Sequence, residues 1–177
     1  MTSAVRQATA LQLISSLRSA GSWCGETHLQ KAMYFLEKLG GVPSDLGFIL
    51  YKHGPYSFDF HDIIGEMRTE GLIEYKYNPP YGPQMDLSDA GKRLLERHSK
   101  NVQPWHQAID SVAKCLGGKG VVDLEKLGTA LMVYLEDETL PEEARAKRLV
   151  ELKPHIDQVE AAEATRTFDT SIRPCFS

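Results

Sequence analysis

The stretch that most narrows what this chain can fold into runs from residue 57 to residue 95. Ser57 is placed to cap a helix, its hydroxyl accepting an otherwise unpaired first-turn amide. Behind it Phe60, Ile63, Ile64 and Met67 recur at helical spacing, turning one apolar face inward. Gly71-Leu72-Ile73 then leads directly from a helix end into an alternating strand through Tyr77. Asn78-Pro79-Pro80-Tyr81-Gly82-Pro83 cannot continue a ladder, because its three prolines have no amide donor. Gln84 to Leu87 returns as a second strand, and Ser88 caps another helix through Asp89-Ala90-Gly91-Lys92-Arg93-Leu94-Leu95. Helix, hairpin, helix is a tightly constrained unit, because a two-stranded hairpin is stable only when folded against an apolar surface.

That surface is supplied upstream. Val5, Ala8, Leu11, Ile14 and Leu17 give a first amphipathic helix, closed by Gly21. Leu29, Ala32, Met33, Leu36 and Leu39 stripe a second over Glu26–Leu39, stopped by Gly40-Gly41 and Pro43. Phe48 to Lys52 reads as a short strand, and His53-Gly54-Pro55-Tyr56 as the turn after it. The order is that of a winged helix with one extra strand inserted, so the predicted fold class is mainly α with a small β-hairpin.

From Pro104 the pattern is helical throughout. Trp105, Ile109, Val112 and Leu116 mark one helix, and Leu124, Leu127, Leu131 and Leu135 a second. Glu142–Leu152 forms a third and His155–Thr167 a fourth, opening after Pro154. The expected organisation is a winged-helix-like domain over 1–100, a C-terminal helical subdomain packed on it over 101–168, and a mobile tail over 169–177.

Certain residues bring a family to mind. Leu29-Gln30-Lys31-Ala32-Met33-Tyr34-Phe35-Leu36, Tyr51-Lys52-His53-Gly54-Pro55-Tyr56-Ser57 and Gly71-Leu72-Ile73 resemble the YwgA-like and Panacea (SocA-type antitoxin) group of prokaryotic proteins. Leu127-Gly128-Thr129-Ala130-Leu131 and Leu152-Lys153-Pro154-His155 look like its YwgA-like branch. The resemblance implies a bacterial or archaeal origin and a winged-helix-like unit serving toxin neutralisation, regulation or phage defence. It carries over no catalytic residues. His53 and Tyr56 stand where the Panacea branch often has tyrosine and valine, which weakens an antitoxin role by analogy.

The residues themselves point to no enzyme class. A Gly-x-Ser-x-Gly elbow is absent, and Gly117-Gly118-Lys119-Gly120 lacks the spacing of a phosphate loop. Cys24, Cys115 and Cys175 are an odd number at wide spacings, which predicts reduced thiols. Cys24 with His28, or His53 with His61, leaves a metal ligand set incomplete, so neither metal nor cofactor is expected. Apolar runs are too short to span a bilayer, and Met1–Ala20, with Arg6 and Arg18, does not resemble a signal peptide; a cytoplasmic protein is expected.

Two surfaces remain. Tyr51, Lys52, His53 and Tyr56 form the densest polar-aromatic cluster, readable as a rigid corner or as a binding surface. Asp59, Asp62, Gly65, Glu66, Thr69 and Glu70 face outward from the third helix, and four of these six are acidic. A helix entering a DNA groove needs the opposite charge, and the net charge of −4 adds to the conflict. Tyr51, Lys52, His53, Tyr56, Asp59, Asp62 and Glu66 are therefore expected to bind a protein partner, of the kind encoded by a neighbouring gene. The rival expectation is a DNA-binding regulator using a basic ridge of Lys92, Arg93, Arg97 and Lys100. The C-terminal helices could cap the first domain or form a homodimer seam, and the sequence leaves both open.

Overall fold

A computed structural model describes residues 1–77, 79–80 and 82–176. Helix α1 (Ser3–Ser19) is capped by Thr2, whose side chain accepts from the Val5 amide at 3.4 Å. Ala8, Leu11, Ile14 and Leu17 are buried as the spacing predicts, but so are Ala10 and Leu13. Helices pack on both sides of α1, so a single apolar stripe understates its burial. Helix α2 (Glu26–Lys38) goes further: every residue from His28 to Leu36 is buried, Lys31 included.

Two antiparallel hairpins follow. Strands β1 (Ile49–Tyr51) and β2 (Gly54–Tyr56) pair Ile49 with Tyr56, Leu50 with Pro55 and Tyr51 with Gly54. The turn expected over His53–Tyr56 is thus narrower, confined to Lys52 and His53, and Gly54–Tyr56 is strand. Gly54 makes this possible, taking φ +82°, which a side chain would resist. Helix α3 (Phe58–Thr69) starts on the Ser57 cap, with the Phe60 amide 2.9 Å from Ser57 Oγ. Strands β3 (Ile73–Lys76) and β4 (Gln84–Leu87) form the wing, in register from Ile73–Leu87 to Lys76–Gln84. Of the proline-rich tip, Asn78 and Tyr81 lie outside the described residues.

The join from the wing to α4 (Asp89–Arg97) explains why Asp86–Gly91 is so informative. Ser88 Oγ accepts from the Gly91 amide and donates to the Gly71 carbonyl, while the Ser88 amide donates to Leu72 O at 3.1 Å. A Cβ on Gly91 would lie 2.1 Å from that same Leu72 carbonyl oxygen. Only a glycine lets the helix sit on the strand entry.

After the short α5 (Ser99–Val102), α6 (His106–Leu116) packs on α1 and α2, and α7 (Val121–Glu136) on α2 and β2. Helices α8 (Glu142–Leu152) and α9 (Gln158–Thr167) complete the bundle. One continuous buried cluster runs from Ala8 to Ile172. The fourth C-terminal helix begins at Gln158, not His155. Asp157 and Glu160 form a reciprocal capping box that outcompetes a start after Pro154 and leaves 153–157 as a loop. Residues 168–176, of which 169 onward were expected to trail as a mobile tail, wind into a π turn and a 3-10 turn, with Phe168 and Ile172 buried. A Cys115–Cys175 disulfide ties this end to α6, correcting the expectation of three reduced thiols. Wide spacing in sequence does not prevent two cysteines from meeting across a bundle. Cys24 alone is free, and buried.

Candidate interaction surface

Alternation along β1 turns Ile49 and Tyr51 outward. Tyr56 on β2 and Phe58 at the start of α3 join them. Tyr51, Tyr56 and Phe58 each touch the other two, with ring centroids 5.2 to 5.5 Å apart, and His61 lies 6.2 Å from Tyr56. Tyr51 is 50% exposed and Phe58 52%. Such edge-on ring packing stabilises the cluster itself while leaving large apolar area in water. Phe58 was missed by sequence reasoning, although its signal was legible: it sits about 200° round the helix from Phe60, on the polar side.

Carboxylates border the rings. Glu26, in the first turn of α2, approaches His61 Nδ1 at 2.6 Å and accepts from the Tyr56 hydroxyl at 3.4 Å. Burial, then Glu26, raises the Tyr56 phenol above its usual range, and the Asp62 charge adds to the effect. Asp59, Asp62 and Glu66 are exposed along α3, and among the described residues no cation pairs with them. The predicted partner-binding residues Tyr51, Tyr56, Asp59, Asp62 and Glu66 therefore share one region of surface. Lys52 and His53 occupy the adjoining hairpin turn.

What holds this corner in place is buried charge. Lys31 on α2 is 1% exposed, Glu125 on α7 8% and Lys153 after α8 5%. Lys153 Nζ donates to the carbonyls of Tyr51 at 2.7 Å and Lys52 at 2.8 Å, and pairs with Glu125 Oε1 at 3.1 Å. The same carboxylate has His155 Nε2 at 3.2 Å and His53 Nδ1 at 3.7 Å. Burial pulls the Lys31 ammonium down to about 8; Glu125 opposes that shift and Lys153 adds to it. Contact here is close enough that a side chain on either face would crowd its neighbour. A Cβ at Gly54 would lie 3.2 Å from Glu125 O, and one at Gly128 3.0 Å from Pro55 Cδ.

A second buried link fixes the start of α3. The Gln30 side chain donates to Ser57 O at 2.9 Å and accepts from the Ser57 amide at 3.0 Å. The sequence assigns no role to Lys31, Glu125 or Lys153; Lys31 and Lys153 enter it only inside the motifs that carry the family resemblance. Lys31 falls off the Leu29–Leu36 stripe, and only the packing of α7 and the hairpin on that flank buries it.

The rival basic surface spans two helices. Helix α4 ends at Arg97, His98 leaves helical geometry at φ −102°, ψ 12°, and Lys100 belongs to α5. Lys92, Arg93, Arg97 and Lys100 are all exposed, with Lys92 also 3.2 Å from Asp89.

The considered metal pairs do not assemble either. Cys24 is buried with its thiol pushed up to about 12, which keeps it protonated. His28 Nδ1 is bonded to Ser22 Oγ at 3.1 Å. His53 and His61 face different carboxylates, and among the described residues no group of three or more His, Cys, Asp or Glu converges as a metal would require. No described helix is long and apolar enough to cross a membrane. No model of a known protein family matches the chain, and no curated protein matches it.

Proposed function

We propose that this chain is a non-enzymatic protein-interaction module that docks its partner on the Tyr51–Tyr56–Phe58 face. The observation that carries the reading is three mutually packed rings, two of them half in water, held on a corner braced by buried ions. Rigid, exposed aromatic side chains lose little conformational entropy on binding and dominate the energetics of protein interfaces. A single exposed apolar residue needs no explanation, whereas a contiguous cluster marks a contact surface. The regulatory, antitoxin-like or defence role implied by the family resemblance is compatible with such a module.

The rival reading, a DNA-binding regulator, draws support from exposed Arg93 and Arg97. Against it stands the helix in the recognition position, whose outward Asp59, Asp62 and Glu66 would repel phosphates.

A photo-crosslinking residue at Phe58, in cells that naturally produce the chain, tests the reading. A discrete protein adduct is expected at Phe58 and not at the exposed Val159 on α9, and it is lost on Tyr51→Ser. Steeply salt-dependent binding to duplex DNA, abolished by Arg93→Ala with Arg97→Ala, would reverse the ranking.

A further inference from the structure

The same face carries information about what it binds. Around the rings stand Glu26 and the exposed Asp59, Asp62 and Glu66; Lys52 is exposed on the adjoining turn, while Lys31 and Lys153 lie buried behind the hairpin beside Glu125. Glu26 is already engaged by His61. Arg68, the cation nearest in sequence on α3, lies instead over the Tyr75 ring at 5.2 Å, turned to the wing. Asp59, Asp62 and Glu66 thus have no internal counter-charge among the described residues.

This combination discriminates between occupants. A purely apolar partner would cover the rings but strip water from adjoining carboxylates without replacing it, which is costly. An acidic segment or a nucleic acid would meet like charge. A cation meets neither objection: carboxylates attract it, and tyrosine and phenylalanine rings attract it through their negative faces.

Resting on the interaction reading above, we propose that the docking segment of the partner presents an arginine or lysine side chain beside an apolar one. The apolar residue covers the half-exposed Tyr51 and Phe58 rings. The cation reaches the Asp59, Asp62 and Glu66 side of α3.

The test uses the full chain and three short fluorescent peptides that alternate leucine with arginine, with glutamine or with glutamate, followed by anisotropy. The arginine peptide binds at least about tenfold more tightly than the glutamine peptide, and added salt narrows the gap. Asp62→Lys with Glu66→Lys, both at exposed positions and checked by circular dichroism, removes that preference. Charge reversal at the exposed Glu163 on α9 leaves it intact, which separates a local site from overall acidity. Equal binding of the arginine and glutamine peptides, lost on Phe58→Ser, overturns the inference while the aromatic docking face survives. Preference for the glutamate peptide, or no binding of any peptide while Phe58 still crosslinks a protein, also overturns it. Failure of both peptide binding and crosslinking removes the interaction reading as well.

Discussion

The described residues form two small antiparallel hairpins, and the two are anchored by different means. The wing, β3–β4, rests mainly on apolar side chains: Ile73, Met85 and Leu87 are buried, the Met85 amide donates to Cys24 O at 3.0 Å, and Lys76 and Arg18 reach Asp86 at 2.9 and 4.0 Å. The β1–β2 hairpin is only three residues a side and sends Ile49 and Tyr51 into water. It is fastened through its backbone by Lys153, itself balanced on Glu125. A hairpin of that length has no stability of its own. A hydrophobic base suffices where the outer face is polar. Where the exposed face must be aromatic, the anchor comes from behind, and here it comes from residues about a hundred positions away in the chain.

Substitutions can break this contrast at graded cost. The largest effect is expected at the wing base. Gly91→Val drives a side chain into the Leu72 carbonyl, which backbone pairing prevents from yielding, and should cost at least about 3 kcal/mol in chemical denaturation or prevent folding. Next comes the charged anchor: Lys153→Met leaves Glu125 buried with weaker compensation and two carbonyls without their donor, for a loss of about 2–4 kcal/mol.

Lys31 sharpens the comparison through pH. Its folded-state value, about 8, lies below the ordinary 10.5. Between these two values the unfolded chain binds more protons at this site, so the Lys31 contribution to stability rises as pH increases through that window. Below it, both states are protonated and the burial penalty is in full force. Melting temperatures of the natural chain and Lys31→Met, measured from pH 7 to 10.5, should show the natural chain gaining on the variant above about pH 8. The smallest effect belongs to Asp86→Asn, which removes the partly exposed ion pairs of the wing while leaving an oxygen to accept from the Leu87 amide, and should cost about 1 kcal/mol.

How much of this could be read in advance follows from where the determining contacts lie. The wing and its flanking helices were legible because most of their signals are local: Ser57 and Ser88 cap within three residues, and Gly71 and the prolines act on adjacent backbone. The acidic outer face of α3 followed from period alone. The anchor was not legible, because a lysine on α2, a glutamate on α7 and a lysine after α8 acquire their roles only when three distant segments meet. The Cys115–Cys175 bridge escaped for the same reason. Phe58 was overlooked although visible, since attention to the inward stripe hides an apolar residue pointing the other way.

If the C-terminal region positions the aromatic hairpin through Lys153, amide hydrogen exchange on the folded chain and on Lys153→Met will register it. Protection is expected to fall across Ile49–Tyr56 while Ile73–Lys76 and Gln84–Leu87 keep theirs. Unchanged exchange in Ile49–Tyr56, or an equal loss in both hairpins, would contradict it.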